Sequence, residues 1–485
     1  MPKLVNITRR TMLRLLGSVS ALGWASVSLA GCTPSPGGSG RIFLGMGARA
    51  GEVTATSAII QARLTSSDSQ DGDMLIPGAE GQARVIYGLD EDLNDARDTG
   101  WLEASEDKDY SVQTRIGDLQ PASRHYYKVE MRADADSEVF TSDTRSFKTA
   151  PATDDNAPVH FQVTTCQTFD NGPTYEAMLA QRPDFLVSTG DNVYYDKGRP
   201  EWFGRTLKTA YNAYQRIYGK PSLIRFFDAT SCYFMKDDHD YRFNDADAVQ
   251  PGMWVQENRY DPKRARVTAE KEGRWYDEAW LTHEEGIEVV GNVFPAGEKN
   301  YRTFRWGRGV QVWLLEGRDY RSPNDMPDGP NKTIWGAEQK AWLKSTLAES
   351  DAAFRLVISP TPIVGPDKPG KTDNHVNTKG FYHEGQDFLN WLIDNGMTDN
   401  TFILCGDRHW QYHSMYKDRV HEFCCSVSGP EDIQDGTGIP TDHVVRDYFA
   451  LEAGFLAARY DPTGKLTISI CGTNGAPMFD LGFQA

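Results

Sequence analysis

The chain has 485 residues, of which 39% are hydrophobic and 25% charged, and its formal charge is −17. Its length exceeds one ordinary domain and its composition is that of a globular protein, while the acidic excess argues against a nucleic-acid-binding surface, which needs a basic patch. An acidic protein that handles an anionic substrate must supply positive charge locally, and bound metal ions are one way to do so.

The first 31 residues read as a targeting segment. Thr8-Arg9-Arg10-Thr11-Met12-Leu13-Arg14 has the form of a twin-arginine export signal, and an uncharged, mostly apolar run follows to Gly31. That run is too short and too rich in Gly and Ser to span a membrane. It ends Leu29-Ala30-Gly31-Cys32, which is similar to a bacterial lipobox. Cleavage there would leave Cys32 as a lipidated N-terminus, with residues 32–40 as a Thr/Ser/Pro/Gly-rich tether to the membrane. A plain cleaved signal without lipid is the alternative. Either reading implies the twin-arginine export machinery as a partner and a periplasmic or cell-surface location. Of seven cysteines, six lie beyond Cys32. Most are in apolar strand-like runs, where a buried free thiol is the default.

From residue 41 to 151 the pattern is all-β. Strands are predicted at Thr54–Ala62, Gly81–Gly88, Ser111–Ile116 and His125–Glu130, separated by turn residues at short intervals, as in a small β-sandwich. The acidic stretch from Ser66 to Gly72 lacks the spacing of a calcium loop and reads as a solvated hairpin loop. After Pro151 apolar strands alternate with helical segments, which predicts an α/β region over residues 152–485. Strands are expected at Phe161–Thr165, Asp184–Thr189, Tyr233–Met235, Val310–Leu315, Arg355–Ser359 and Thr401–Cys405, with helices from Thr174, over Ala337–Glu349 and over Gln386–Asn395.

Chemistry-bearing residues follow these strands. The first ends in Cys166-Gln167 and the next in Gly190-Asp191-Asn192-Val193-Tyr194. A third runs into Asp237-Asp238-His239-Asp240, with Asn244 beyond, and a late one ends in Gly406-Asp407-Arg408-His409. Each motif alone is usually a turn or a solvated loop. Together they place metal-type donors just past the carboxyl ends of several strands, the edge at which open α/β sheets bind ligands. Hydrolysis of a phosphoester needs an activated water and neutralised phosphoryl oxygens, and paired metal ions provide both. Asp191 can bridge two ions. Asp407 and His409, two apart, would share a face if the chain stays extended, with Arg408 turned away. Asn244 offers a neutral oxygen that suits calcium. His239 is either a ligand or the acid that protonates the leaving group, and Asp237 is a further catalytic candidate.

This set of motifs resembles the PhoD-type alkaline phosphatases, a branch of the calcineurin-like metallophosphoesterases. Gly117-Asp118-Leu119-Gln120-Pro121, Phe147-Lys148-Thr149-Ala150-Pro151 and Trp335–Leu343 add to the resemblance, which covers nearly the whole chain. It implies an αββα metallophosphoesterase sandwich, two mixed β-sheets flanked by helices, preceded by a fibronectin III-like β-sandwich. It also implies a ferric ion with calcium, two calcium ions being expected. Cys166 and Tyr194 would be iron ligands and Asp191 the bridge. Asn244, Asp407 and His409 would complete the centre, with Asp238 a further ligand. The expected activity is hydrolysis of phosphomonoesters or phosphodiesters. A phospholipase D-like action on phospholipid at the membrane surface and a non-catalytic phosphate-binding lipoprotein are the alternatives. Arg242 stands where many relatives have Gly, and Glu316 where relatives have Asp; Arg242 and Arg318 are candidate substrate contacts. The polar loop from Gly365 to Gly380 is expected to overhang the site.

Overall fold

The computed structural model describes residues 41–248, 280–297, 299–434, 438–439 and 445–485. The proposed signal, Cys32 and the tether lie outside the described residues.

The N-terminal strands are β1 (Ala48–Gly51), β2 (Ala58–Arg63), β3 (Gly81–Gly88), β4 (Arg97–Asp98), β5 (Leu102–Ala104), β6 (Ser111–Ile116), β7 (Arg124–Arg132), β8 (Phe140–Thr141) and β9 (Arg145–Lys148). Strict alternation in β3 and β7 buries one face of each and leaves the other half-exposed, as expected of an antiparallel sheet with one wet face. These two strands, with β4, β5, β8 and β9, form the outer layer of a sandwich. β1, β2 and β6 form the inner layer, and the Tyr127 hydroxyl of β7 donates across to the Ala48 carbonyl of β1 (3.2 Å).

That inner layer does not stop at the sandwich. β10 (Val159–Thr164), β11 (Phe185–Ser188) and β12 (Ser231–Phe234) run parallel, and β12 pairs with β1 at Gly51 and Cys232. On the other side β10 pairs with the C-terminal meander (strands Gly454–Asp461, Lys465–Gly472 and Pro477–Gln484), giving a nine-stranded mixed sheet. The boundary at Pro151 therefore separates two stretches of sequence but not two separately packed bodies.

The helices on the outer face of this sheet are α1 (Gly172–Ala180), α2 (Leu207–Tyr218), α3 (Pro221–Ala229) and α4 (His283–Val293). Reciprocal capping boxes start α2 at Thr206/Thr209 and α4 at Thr282/Glu285, each satisfying otherwise orphaned N–H groups. Their apolar faces, including Tyr175, Phe226, Phe227 and Val289, pack on Leu186, Cys232 and Phe234.

A second mixed sheet of seven strands faces the first. It comprises β13 (Arg302–Trp306), β14 (Val310–Leu314), β15 (Phe354–Ser359), β16 (Thr401–Cys405), β17 (Gln411–Tyr416), β18 (Val420–Cys424) and β19 (Val445–Ala450); the C-terminal meander strands are accordingly β20 to β22. On its outer face, α5 (Gly336–Glu349) and α6 (Tyr382–Asp394) pack Leu343, Leu347, Phe388 and Leu392 on Trp313, Val357 and Ile403. The layers thus run helices, sheet, sheet, helices. One apolar core fills the space between the sheets and continues unbroken into the N-terminal sandwich. The six described cysteines are unpaired and buried. Among the described residues no helix is long and apolar enough to cross a membrane.

Candidate metal centre

The carboxyl ends of β10, β11, β12 and β16 converge where the two sheets meet. The seam is narrow: a Cβ on Gly406 would collide with the hydroxyls of Thr165 and Thr189. The Thr165 hydroxyl accepts the Asp407 N–H (3.3 Å), and Thr165 bridges to Val427 beyond β18. Short loops hold the donors in fixed relation. Cys166 N–H donates to Gly190 O (3.3 Å) and Gln167 N–H to Asp191 O (2.8 Å). Asp240 ties the next pair of loops, accepting from Asp237 N–H (2.7 Å) and from the backbone and side chain of Asn192 (3.0 and 2.5 Å).

Three of the strand-end donors share an unusual backbone. Cys166, Asp191 and Asp407 have φ of +46°, +52° and +64°. A non-glycine residue in that region costs roughly 1–3 kcal/mol and clusters at functional sites. Asp407 is therefore not in an extended segment: Asp407 and His409 reach the same row of donors without strand alternation, and Arg408 is not turned away. Arg408 is buried; it contacts Asp407 and donates to Asp367 (2.8 Å).

The donors form three overlapping triples, in each of which one ligand atom per residue lies within 4.8 Å of the others: Cys166–Asp191–His409, Asp191–Asp238–His239 and Asp237–Asp238–Asp407. Asp191 and Asp238 are each shared by two triples. The Tyr194 hydroxyl lies 3.3 Å from Nε2 of His409 and so joins the first. Nδ1 of His409 donates to the Asp432 carbonyl (2.5 Å), which fixes the tautomer and leaves Nε2 as a lone-pair donor facing Tyr194. One end of the row thus carries a thiol, an imidazole and a phenol, and the other end carries carboxylates alone.

The donor chemistry fits cations. Oδ1 of Asp191, Oδ2 of Asp237 and Oδ1 of Asp238 are buried and accept no hydrogen bond, a costly arrangement unless something else meets them. Burial, reinforced by Asp238, Asp237 and Asp240 against the opposing His239, holds the Asp191 carboxyl well above the usual carboxylate range. Burial and Asp191 push the Cys166 thiol up, and burial with Cys166 and Asp191 does the same to the Tyr194 phenol. So many acidic groups cannot all ionise in a dry pocket by themselves; positive charge among them reverses the balance.

His239 is held differently. Its Nδ1 donates to Asp196 (2.6 Å), leaving Nε2 as the nitrogen available for proton transfer. Burial lowers its pKa, but Asp196, Asp238 and Asp191 outweigh that and raise it to about 10. The same Asp196 accepts the backbone N–H of the exposed Asn244 (2.8 Å), which places Asn244 beside the partner of His239. Asp196 and Asp432 do not stand out in the sequence, and Asp240 stands in a motif that does, without a role assigned to it. Asp196 lies two residues beyond Tyr194, just past a run singled out in the sequence, whereas Pro430-Glu431-Asp432 looks like any acidic turn.

The two arginines read as substrate contacts are engaged by the protein instead. Arg242 is buried and donates to the carbonyls of Leu281 (2.7 Å) and Asp247 (3.0 Å). Arg318 is fully buried and pairs with Asp237 through Nε and Nη2 (2.5 Å each), while Nη1 donates to Ala246 O (3.1 Å). Its role is to position Asp237. Glu316 supports it, accepting the Arg318 N–H (2.7 Å) and pairing with Lys236 (2.7 Å). The Gly365–Gly380 loop is tied down beside the carboxylate end by Arg408–Asp367 and by Lys371–Asp245 (2.7 Å).

Comparison with known proteins agrees with this architecture. The family model for the PhoD-like phosphatase matches residues 161–438, more than half of the chain, and that for the PhoD-like phosphatase N-terminal domain matches residues 31–151. Alkaline phosphatase D of Bacillus subtilis (strain 168) is 21% identical over 435 residues, covering 81% of this chain and 69% of that protein. A solved structure of PhoD superposes with a TM-score of 0.69 at 16% identity, over 93% of this chain and 90% of that one. A purple acid phosphatase from yellow lupin (Lupinus luteus) seeds superposes with a TM-score of 0.60 at 11% identity, over 90% and 74%. The fold is the metallophosphoesterase sandwich with an added N-terminal domain, and the chain belongs to the PhoD-like phosphatase family of phosphoric ester hydrolases.

Proposed function

We propose that the chain is an exported phosphoesterase that hydrolyses phosphomonoesters and phosphodiesters at a centre of one ferric ion and calcium. The observation that carries this reading is the graded row of donors. Thiolate, imidazole and phenolate suit a transition metal, whereas clustered carboxylate oxygens suit a hard divalent ion. Cys166, Tyr194 and His409 would hold iron, Asp191 would be shared, and Asp238, Asp407 and Asn244 would serve calcium, with Asp237 beside them. Such ions, when bound, supply Lewis acidity toward water and charge neutralisation on the phosphoryl oxygens. The protein itself orients the donors through Thr165, Asp240, Arg318 and the Asp432 carbonyl. His239, steered by Asp196, delivers a proton from Nε2 to the departing oxygen. Export by the twin-arginine route and a lipid anchor at Cys32 rest on residues 8–32 alone, and an anchored enzyme would lie close to phospholipid.

The test is metal analysis of protein exported by its own signal, paired with a screen of aryl phosphates, diesters and phospholipids. The expected result is iron with calcium, turnover at alkaline pH and loss of turnover on chelation. Cys166→Ala should alter any visible ligand-to-iron absorption. Full activity after removal of both metals would sink the mechanism, and an unchanged spectrum would remove Cys166 from the iron site.

A further inference from the structure

A cavity of about 270 Å³ opens beside the first donor triple. Its lining is continuous with the centre, because Gln167 and Thr168 follow Cys166 directly and Tyr194 forms part of both. The walls are aromatic. Phe169 is 44% exposed, which is unusual for a large apolar side chain, and its ring lies 6.0 Å from that of Trp202. Over the Trp202 ring, 4.5 Å from its centroid, lies the guanidinium of Arg216 of α2, a residue only 5% exposed. Its Nε is buried without an acceptor, and the carboxylates of Asp73, Asp71 and Glu201 act on the guanidinium only from beyond ion-pair distance. The other charges on the lining are already engaged: Lys197 with Asp432 (2.5 Å), and Glu431 with the Phe169 N–H.

A guanidinium of a residue so little exposed, with Nε lacking an acceptor and no carboxylate in contact, gains from an anion that meets it directly. Here it borders a space below the roughly 300–1,000 Å³ of drug-sized pockets, enough for one ring and a substituent. Aromatic faces accept a flat group, and the fork of Arg216 matches a carboxylate or phosphate edge. We propose that this cleft is the subsite for the organic substituent of the phosphoester, selecting a flat ring that carries an anionic group paired by Arg216. This rests on the phosphoesterase reading, since it names what that site takes.

The experiment measures kcat/KM of the metal-loaded protein for 4-carboxyphenyl phosphate, its neutral isostere 4-carbamoylphenyl phosphate, and glycerol phosphate. Comparing ratios between variants cancels the intrinsic reactivity of each leaving group. Arg216→Gln should lower the carboxy-to-carbamoyl ratio roughly tenfold, the worth of one charge-assisted pair, and Arg216→Lys should lower it less. Trp202→Leu should reduce both ring esters severalfold relative to glycerol phosphate, and it keeps the inference testable if Arg216→Gln does not fold. An unchanged carboxy-to-carbamoyl ratio in Arg216→Gln, or an unchanged ring-to-glycerol ratio in Trp202→Leu, overturns the subsite. Turnover of all three esters with those ratios unmoved overturns the subsite alone; no turnover of any ester by the native sequence overturns the phosphoesterase reading with it.

Discussion

Asp196 shows how much of this site depends on residues that touch nothing but their neighbours. It holds Nδ1 of His239 at 2.6 Å and caps the Asn244 N–H. Asp196→Ala should therefore lower kcat roughly 10–100-fold, the usual cost of losing a partner that orients a site residue, with KM and metal content little changed. An unchanged kcat would reject the positioning role, and a parallel loss of metal would reassign it to holding the centre. Cys166, Asp191, Tyr194, Asp238, Asp407 and His409 were legible in the sequence because each follows a buried strand. Arg242 and Arg318 misled because charge was read without burial. Both guanidiniums face protein acceptors, and a sequence carries no sign of which way a long side chain turns.

At the scale of elements, the loops matter more than the strands. Gly190 has φ of +117°, and a Cβ there would sit 2.6 Å from Cβ and N of Asp237. The loops after β11 and β12 approach this closely because Asp191 and Asp238 must share a donor triple. Gly190→Ala should destabilise the protein by at least about 2 kcal/mol, combining backbone strain with a steric clash, and should lower metal content. A urea midpoint equal to that of the native sequence would reject the argument. Strands β10, β11, β12, β14, β15 and β16 are predicted within a few residues, since parallel strands buried on both faces are continuous apolar runs, whereas the antiparallel, half-buried edge strand β13 is not. Strands β17 to β22 and the helices α2, α3 and α4 are not legible in the sequence. In α2 the buried face is built from Ala210, Tyr211, Tyr214, Ile217 and Tyr218, and tyrosine is a weak helix former whose burial comes from tertiary packing.

At the scale of the molecule, the N-terminal region is part of the catalytic framework. β1, β2 and β6 complete the nine-stranded sheet, and the Tyr233 hydroxyl, which donates to Val53 O (2.5 Å), accepts from Trp306 Nε1 (3.0 Å) across the core between the sheets. Residues 152–485 expressed alone should fail to give a soluble, cooperatively melting protein, because an unpaired β12 edge and part of one continuous core would face water. A soluble fragment with a sharp thermal transition and bound metal would show that the sandwich is dispensable.

The sequence by itself determined the class of protein and pointed to most of the residues that the fold gathers at the centre, because apolar strand runs and the residues after them are local features whose spacing survives without a structure. Only the tertiary structure decided how those donors are grouped. Cys166, Asp191 and Asp407 adopt left-handed backbone, Arg408 turns inward, and Arg318 spends its charge on Asp237. Only it, too, joined the N-terminal sandwich to the catalytic sheet through Gly51 and Cys232. These outcomes follow from which buried groups find partners across residues far apart in the chain, and no local pattern encodes them.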